Sequence, residues 1–265
     1  AANANGSATV TVTLSDNGSG IAPNVNTTAA QTFTISVTAV NDVPVFIKGI
    51  DQTVNEDAGA QSVAGWATTI SDGDPEVAQT LTFNVSNDNN GLFSVQPAIS
   101  AAGELTYTAG PNANGIATVT VSLSDNGSGT APDVNTTVAQ TFTITVTTVN
   151  DVPVFTKGAD ETVNEDAGAQ SVPGWATGIS DGDPEVAQTI TFNVSNDNNG
   201  LFAAQPAISA AGELTYTPAA NANGSATVTV TLSDNGSGTA PNVNTTAAQT
   251  FTITVTAVND VPVFT

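Results

Sequence analysis

The sequence predicts an all-β protein of tandem seven-stranded Greek-key β-sandwiches arranged as a linear array. Three observations carry that expectation: a repeat of fixed period, hydrophobic alternation with a period of two, and clusters of Asp, Asn, Gly and Pro between the alternating runs. The repeat comes first because it organises everything else. VNDVPVF begins at Val40, Val149 and Val258, and VNEDAGAQSV begins at Val54 and Val163, a spacing of 109 in each case. The chain is therefore expected to hold the C-terminal part of one repeat (1–43), two complete repeats (44–152 and 153–261) and the start of the next (262–265). The complete copies differ at 16 of 109 positions, and residues 1–47 match 219–265 with three changes. A period this long exceeds the roughly 20–50 residues of a solenoid turn and suits one folded domain per repeat.

Along the first complete repeat, strands are expected near 52–55, 61–68, 80–86, 92–96, 104–108, 116–124 and 140–148. The third rests on Leu81, Phe83 and Val85 alternating with Thr82 and Asn84; the fifth places Leu105 and Tyr107 on one face. In the sixth, Val119, Val121 and Leu123 alternate with Thr120 and Ser122, and in the last, Phe142, Ile144 and Val146 alternate with threonines. Such alternation gives one buried and one wet face, and β-branched Thr favours the extended backbone. Turn residues punctuate the runs at Asp72-Gly73-Asp74-Pro75, Asn89-Asn90-Gly91 and Asp125-Asn126-Gly127. No segment has helical periodicity. The joint Asn150-Asp151-Val152-Pro153 has no Gly/Ser spacer and predicts a semi-rigid connection.

Composition limits function. With 24 acidic side chains against two lysines, Lys48 and Lys157, the formal charge is −22. That excludes a nucleic-acid binder, which needs cations to displace counterions, and disfavours an anionic leaflet. His, Cys and Met are absent, so catalytic triads, thiol nucleophiles and zinc or haem ligation cannot be assembled. Near-identical repetition, with the acids gathered at joints, also speaks against a paired-carboxylate glycosidase and predicts a protein that is not an enzyme. No run of 18 apolar residues spans a membrane, and the first residues lack the features of a secretory leader, so this segment is expected to be the interior of something longer. A hydrophobic fraction of 39% predicts a core in each repeat. An external cation is the expected offset to the self-repulsion of a folded polyanion.

The acids recur in four motifs per repeat, seen in the second copy as Asn164-Glu165-Asp166, Asp181-Gly182-Asp183-Pro184-Glu185, Asp234-Asn235-Gly236 and Asn259-Asp260. Calcium takes six to eight oxygens from carboxylates, amides and backbone carbonyls, and loops of this composition can wrap it. The same residues are also ordinary turn formers, and taken singly each loop fits either role.

Five segments in order resemble the cadherin family: VNEDAG, ISDGDPEVAQTLTFNVS, NNGLFSVQPAISAAGELTYT, TVTVSLSDNG and VNDVPVF. In texture the chain is most similar to the cadherin-like and Ig-like tandem repeats of giant bacterial surface adhesins and RTX-type, type I secreted exoproteins. The resemblance implies calcium (Ca2+) between consecutive domains. It assigns Glu56, Asn150, Asp151, Asp181, Asp183 and Asp234 to one junction, and Asn41, Asp42, Asp72, Asp74 and Asp125 to the one before it. Two departures stand out: the stretch from Tyr107 to Gly115 holds no acid where cadherins carry one, and Val152 replaces the second linker Asn. One or two ions per junction are therefore expected. The implied function is a calcium-stiffened structural extender of a secreted, extracellular bacterial adhesin, whose partners are the neighbouring repeats of the same chain. Two alternatives stay open: a filament or matrix fibre of identical chains, and a carbohydrate-binding module presenting Trp66 and Trp175. For those tryptophans a core role is the competing expectation, and the Thr-rich runs reflect β-propensity rather than an ice-binding face.

Overall fold

A computed structural model describes residues 3–261; the expected start of a further repeat at 262–265 lies outside them. The all-β expectation is borne out. Among the described residues, helix is confined to single turns at Asn90–Leu92 and Asn199–Leu201, and no helix is long and apolar enough to cross a membrane. The chain divides into two compact units, Ala1–Val54 with Ala58–Val146, and Asn55–Asp57 with Thr147–Thr265.

The first unit opens with the hairpin β1 (Gly6–Val12) and β2 (Gln31–Val37). There follow β3 (Val45–Ile47), β4 (Gln52–Asn55), β5 (Ala60–Val63), β6 (Thr68–Ser71), β7 (Thr82–Asn87), β8 (Phe93–Ile99), β9 (Leu105–Ala109), β10 (Gly115–Ser124) and β11 (Gln140–Thr147). They form a four-stranded sheet in the order β4-β11-β10-β7, a three-stranded sheet β5-β9-β8, and the pair β3-β6. The long strand β10 shows why: Ala117, Val119, Val121 and Leu123 are buried, while the alternating Thr118, Thr120 and Ser122 stay half-exposed. Those apolar residues and Ile144 meet Leu105 and Tyr107 of the other sheet in one core.

The second unit repeats the plan with β12 (Val154–Thr156), β13 (Glu161–Asn164), β14 (Gln170–Val172), β15 (Thr177–Ser180), β16 (Thr191–Asn196), β17 (Phe202–Ile208), β18 (Leu214–Pro218), β19 (Gly224–Ser233) and β20 (Gln249–Thr256). Its sheets run β13-β20-β19-β16, β14-β18-β17 and β12-β15. β13 lies parallel to β20, with Glu161 opposite Ile253, and β19 lies antiparallel to it, with Ala226 opposite Ile253.

Each complete repeat has nine short strands, not the seven expected. The single strand expected at 61–68 is two, β5 and β6. Gly65 between them adopts φ +65°, which turns the chain, and Trp66 drops into the core. β3 is the other addition; its three residues are too few for an alternation to show, and it is held by pairing with β6.

The tryptophans belong to the core. Trp66 and Trp175 are each 4% exposed, tilted against Phe142 and Phe251 at a centroid distance of 4.3 Å. Each indole N–H donates to a backbone carbonyl, of Ile50 and Ala159, at 3.0 Å. Neither ring is available as a stacking platform. Because Leu123 is fully buried, Leu123→Ala is expected to cost about 2–5 kcal/mol, measured by urea unfolding.

Candidate metal centre

The predicted ligands gather around one linker asparagine per repeat. In the second unit Asn150 is buried, and every polar group on it is engaged. Its N–H donates to Asn242 Oδ1 (2.7 Å), and its carbonyl accepts from the Val243 N–H (2.9 Å). Its Nδ2 donates to Val243 O (2.9 Å), Asp234 Oδ1 (3.2 Å) and Asp151 O (3.3 Å), while its Oδ1 accepts from Gln188 Nε2. The partners on one side come from the loop between β19 and β20, which an isolated bridge from Ser233 to Thr245 closes. Asn41 repeats the arrangement in the first unit with Asp133, Val134, Asp125 and Gln79. Asp133 in one copy and Asn242 in the other supply the same acceptor, so this difference between repeats leaves the seat intact.

Two glycines make room for the linker. A side chain on Gly236 would collide with Asn150 Oδ1, and one on Gly182 with the Val152 carbonyl. Gly182 also sits at φ +87°, where a Cβ is strained. The central Gly of the Asp-Gly-Asp motif thus answers both to the turn and to the linker packed across it.

The aspartates shape turns with some of their oxygens. Asp181 Oδ2 accepts from the Gln188 N–H (2.7 Å), and Asp183 Oδ1 accepts from the N–H groups of Glu185 and Val186 (3.2 Å each). Asp183 Oδ2 accepts from Gln188 Nε2 (3.0 Å), and Asp234 Oδ1 also caps the Gly236 N–H (2.8 Å). Asp72 and Asp74 behave likewise toward Gln79 and Glu76. Asp74, Asp125, Asp183 and Asp234 are buried; Asp42, Asp72, Asp151 and Asp181 are half-buried.

Other oxygens are left over. Among the described residues, seven buried side-chain atoms have no hydrogen-bond partner: Glu56 Oε2, both oxygens of Glu185, Asp125 Oδ2, Asp234 Oδ2, and the Oε1 atoms of Gln79 and Gln188. All seven are acceptors, and all belong to the motif loops. Leaving such an atom buried and unpaired costs about 1–3 kcal/mol, more when it is charged. Glu56, only 2% exposed, spends its other oxygen on the Val149 N–H (2.7 Å). The corresponding Glu165 makes the same bond to Val258 (2.7 Å), but its second oxygen accepts from Asn223 Nδ2 (3.4 Å).

The electrostatics follow from this crowding. Burial pushes the Glu56 carboxyl up, aided by the charges of Asp57, Asp151 and Asp183 and opposed by the Val149 amide. Burial likewise raises Asp151, with Asp57 and Asp183 adding to it. Glu185 is pushed up to about 7 by burial, by the neighbouring Asp183 carboxylate and by the charge of Glu56. In the first unit, a hydrogen bond between Asp74 and Glu76 lowers the aspartate and raises the glutamate. Of the predicted ligands, Glu56, Asp151 and Asp183 share one electrostatic neighbourhood, and Asp234 joins through Asn150. Asp181 is held in the turn beside them. Among the described residues, no three acidic side chains are close enough to form a metal-holding group on their own; amides of Asn150 and Gln188 lie between them.

Glu185, Gln188 and Asn242, with their counterparts Glu76, Gln79 and Asp133, were not among the predicted ligands. Glu185 closes the Asp-Gly-Asp-Pro-Glu string and was visible there. Gln188, in the lead-in to a strand, carries no feature that marks it.

Residues 150–254 match the Bacterial Ig domain family. No curated protein matches the chain. Among solved structures it is similar to human protocadherin-24 EC1-2, at 18% identity and a TM-score of 0.41 over 83% of this chain and 100% of that one. It is also similar to mouse cadherin-23 EC22-24, at 20% identity and a TM-score of 0.40 over 94% and 74% of the two chains.

Two outcomes are expected. Glu56, Asp151 and Glu185 hold protons more readily folded than unfolded, so in chelator their contribution to stability is greatest below about pH 4.5. It falls as pH rises toward about 7, which thermal melts at pH 5, 7 and 8 will register as a declining midpoint. Gly182→Ala is expected to cost about 1–3 kcal/mol through the strained φ and the displaced linker, read from denaturant unfolding.

Proposed function

We propose that this chain is a non-enzymatic structural extender: Ig-like, cadherin-like repeats with boundaries at 43/44 and 152/153, stiffened by calcium at each linker, in a secreted bacterial surface protein. The observation that carries the reading is the set of unpartnered buried oxygens. Among the described residues, no cationic side chain is a hydrogen-bond partner of Glu56, Asp125, Glu185 or Asp234. A hard divalent cation is the partner that satisfies carboxylate and amide oxygens together, and calcium tolerates irregular mixed donor sets better than magnesium does. Glu56, Asp151, Asp183, Glu185 and Asp234 are the acids that would draw in around it at one linker, with the Gln188 amide oxygen completing a set that no three acids form alone among the described residues. Asp42, Asp74, Glu76 and Asp125 would do so at the linker before, with Gln79. The ion supplies charge neutralisation; without it, like charges oppose a closed linker.

Extracellular calcium modules bind with dissociation constants near 10⁻⁴–10⁻³ M. At about 10 mM calcium each site then adds roughly 1.4–2.7 kcal/mol to stability. Differential scanning calorimetry in calcium against chelator is expected to show the midpoint rising by several degrees, and small-angle scattering a narrower distribution of chain dimensions. Asp234→Asn and Glu56→Gln should shrink the calcium-induced rise while leaving the calcium-free midpoint unchanged or higher, since each removes a repelling charge. An unchanged midpoint and unchanged scattering on adding calcium would sink the proposal and leave the acidic loops as turns alone.

A further inference from the structure

Each complete repeat holds one cation, Lys48 or Lys157, among eleven acids. Among the described residues, neither lysine side chain makes an ion pair or a hydrogen bond. Lys48 stands beside a groove of about 420 Å³, walled by Ile50, Val63 and Ala64, with Gln52 alongside and Trp66 beneath. All of its lining comes from residues 48–68, inside one complete repeat, and none of the linker acids takes part. Gln52 opens β4 and Val63 closes β5, outer strands of the two sheets, so the groove lies at an open side of the sandwich. Packing within the repeat sets its shape. The Ile50 carbonyl accepts from the Trp66 indole N–H (3.0 Å) and from Gln52 Nε2 (2.9 Å), and a Cβ at Gly49 would lie 2.5 Å from the Trp66 carbonyl oxygen. The loop is thereby pinned while the Ile50 side chain is left 81% exposed. A pinned wall spares a ligand the cost of ordering it.

We propose that this groove binds a small amphipathic anion, an aliphatic chain ending in one carboxylate, with the Lys48 ammonium taking the head group and Ile50, Val63 and Ala64 covering the chain. An ammonium without a counter-charge, set against an apolar wall, suits a ligand that is charged at one end only. The volume lies within the roughly 300–1,000 Å³ of small-molecule sites. The charge of −22 repels a polyanion at long range, whereas a ligand with one charge feels only acids within about 8 Å at physiological salt. Asp51, the acid nearest Lys48 in sequence, accepts the Thr143 N–H on its Oδ1 (2.8 Å). The second repeat is a built-in control. It keeps Lys157, but Ala159, Glu161 and Pro173 replace Ile50, Gln52 and Ala64. That exchange shortens the apolar wall and puts a carboxylate where the amide stood, so one site per chain is expected, in the first complete repeat. Because the groove uses no linker acid, it stands or falls apart from the calcium reading.

The test titrates the full chain with octanoate, using equilibrium dialysis for stoichiometry and methyl NMR for place, with octanol as the uncharged analogue. The expected result is one equivalent of octanoate, saturating below about 10 mM, with shifts at the Ile50 and Val63 methyls and weaker binding of octanol. Lys48→Gln should weaken octanoate about three- to tenfold and leave octanol unchanged, since only the head group loses its partner. Ile50→Ala should weaken both ligands by a similar factor. Ile50 is exposed and Lys48 half-buried, so neither variant should move the melting midpoint without ligand. Rebuilding the second repeat with Ala159→Ile, Glu161→Gln and Pro173→Ala should add a second equivalent. The proposal is overturned by the absence of saturable binding, by octanoate and octanol binding alike, by shifts confined to other methyls, by octanoate binding that Lys48→Gln does not weaken, or by a rebuilt second repeat that takes up no octanoate.

Discussion

The amide of a single buried asparagine, Asn150 in the second unit and Asn41 in the first, is the contact on which the rest of each linker region depends. Its backbone pairs with the loop between the last two strands, its Nδ2 reaches Asp234, and its Oδ1 meets Gln188, which in turn binds Asp183. Three chain segments distant in sequence are thereby fastened to one side chain of about four polar contacts. A buried amide is costly unless all its groups are paired, and here they are. Gly182 and Gly236 follow from that requirement, since any side chain at either position would push the linker off its seat.

Shaping a turn does not consume every oxygen of these aspartates. A carboxylate has two oxygens with room for several bonds. Asp234 spends Oδ1 on the Gly236 amide and on Asn150, which fixes the loop, and keeps Oδ2 buried and unspent. Glu56 divides its oxygens in the same way. Turn chemistry therefore pre-positions the carboxylates, and burial raises the free energy of the charged forms of Glu56, Asp151 and Glu185. The site becomes a place of desolvated like charges, which a proton relieves and, under the proposed function, a divalent cation would relieve. The raised protonation tendencies of Glu56, Asp151 and Glu185 reflect their burial first and the neighbouring negative charges second.

Much of the fold was legible because it rests on local rules. Alternation placed β7, β9, β10 and β11 with their inward faces correct, since period-two patterning is a property of the strand itself. The division of 61–68 into β5 and β6 was not legible. Nothing in a sequence distinguishes a Trp that continues a strand from one that leaves it to pack on Phe142, a residue 76 positions away. In the site, the acidic motifs were legible as strings. The amides of Gln188 and Asn242 were not, because glutamine and asparagine are everywhere in this chain and acquire a role only from what stands opposite them.

By itself the sequence determined the repeat, the strand alternation, the turn positions and the strongly negative charge, all of which depend on residue type and spacing within a few positions. Tertiary structure decided which oxygens of those acids are consumed by turns, which are buried unpaired, and that both tryptophans are interior. The physical reason is common to all three. Hydrogen-bond satisfaction and burial are properties of pairs brought together across tens of residues, and identical strings in this chain meet different neighbours.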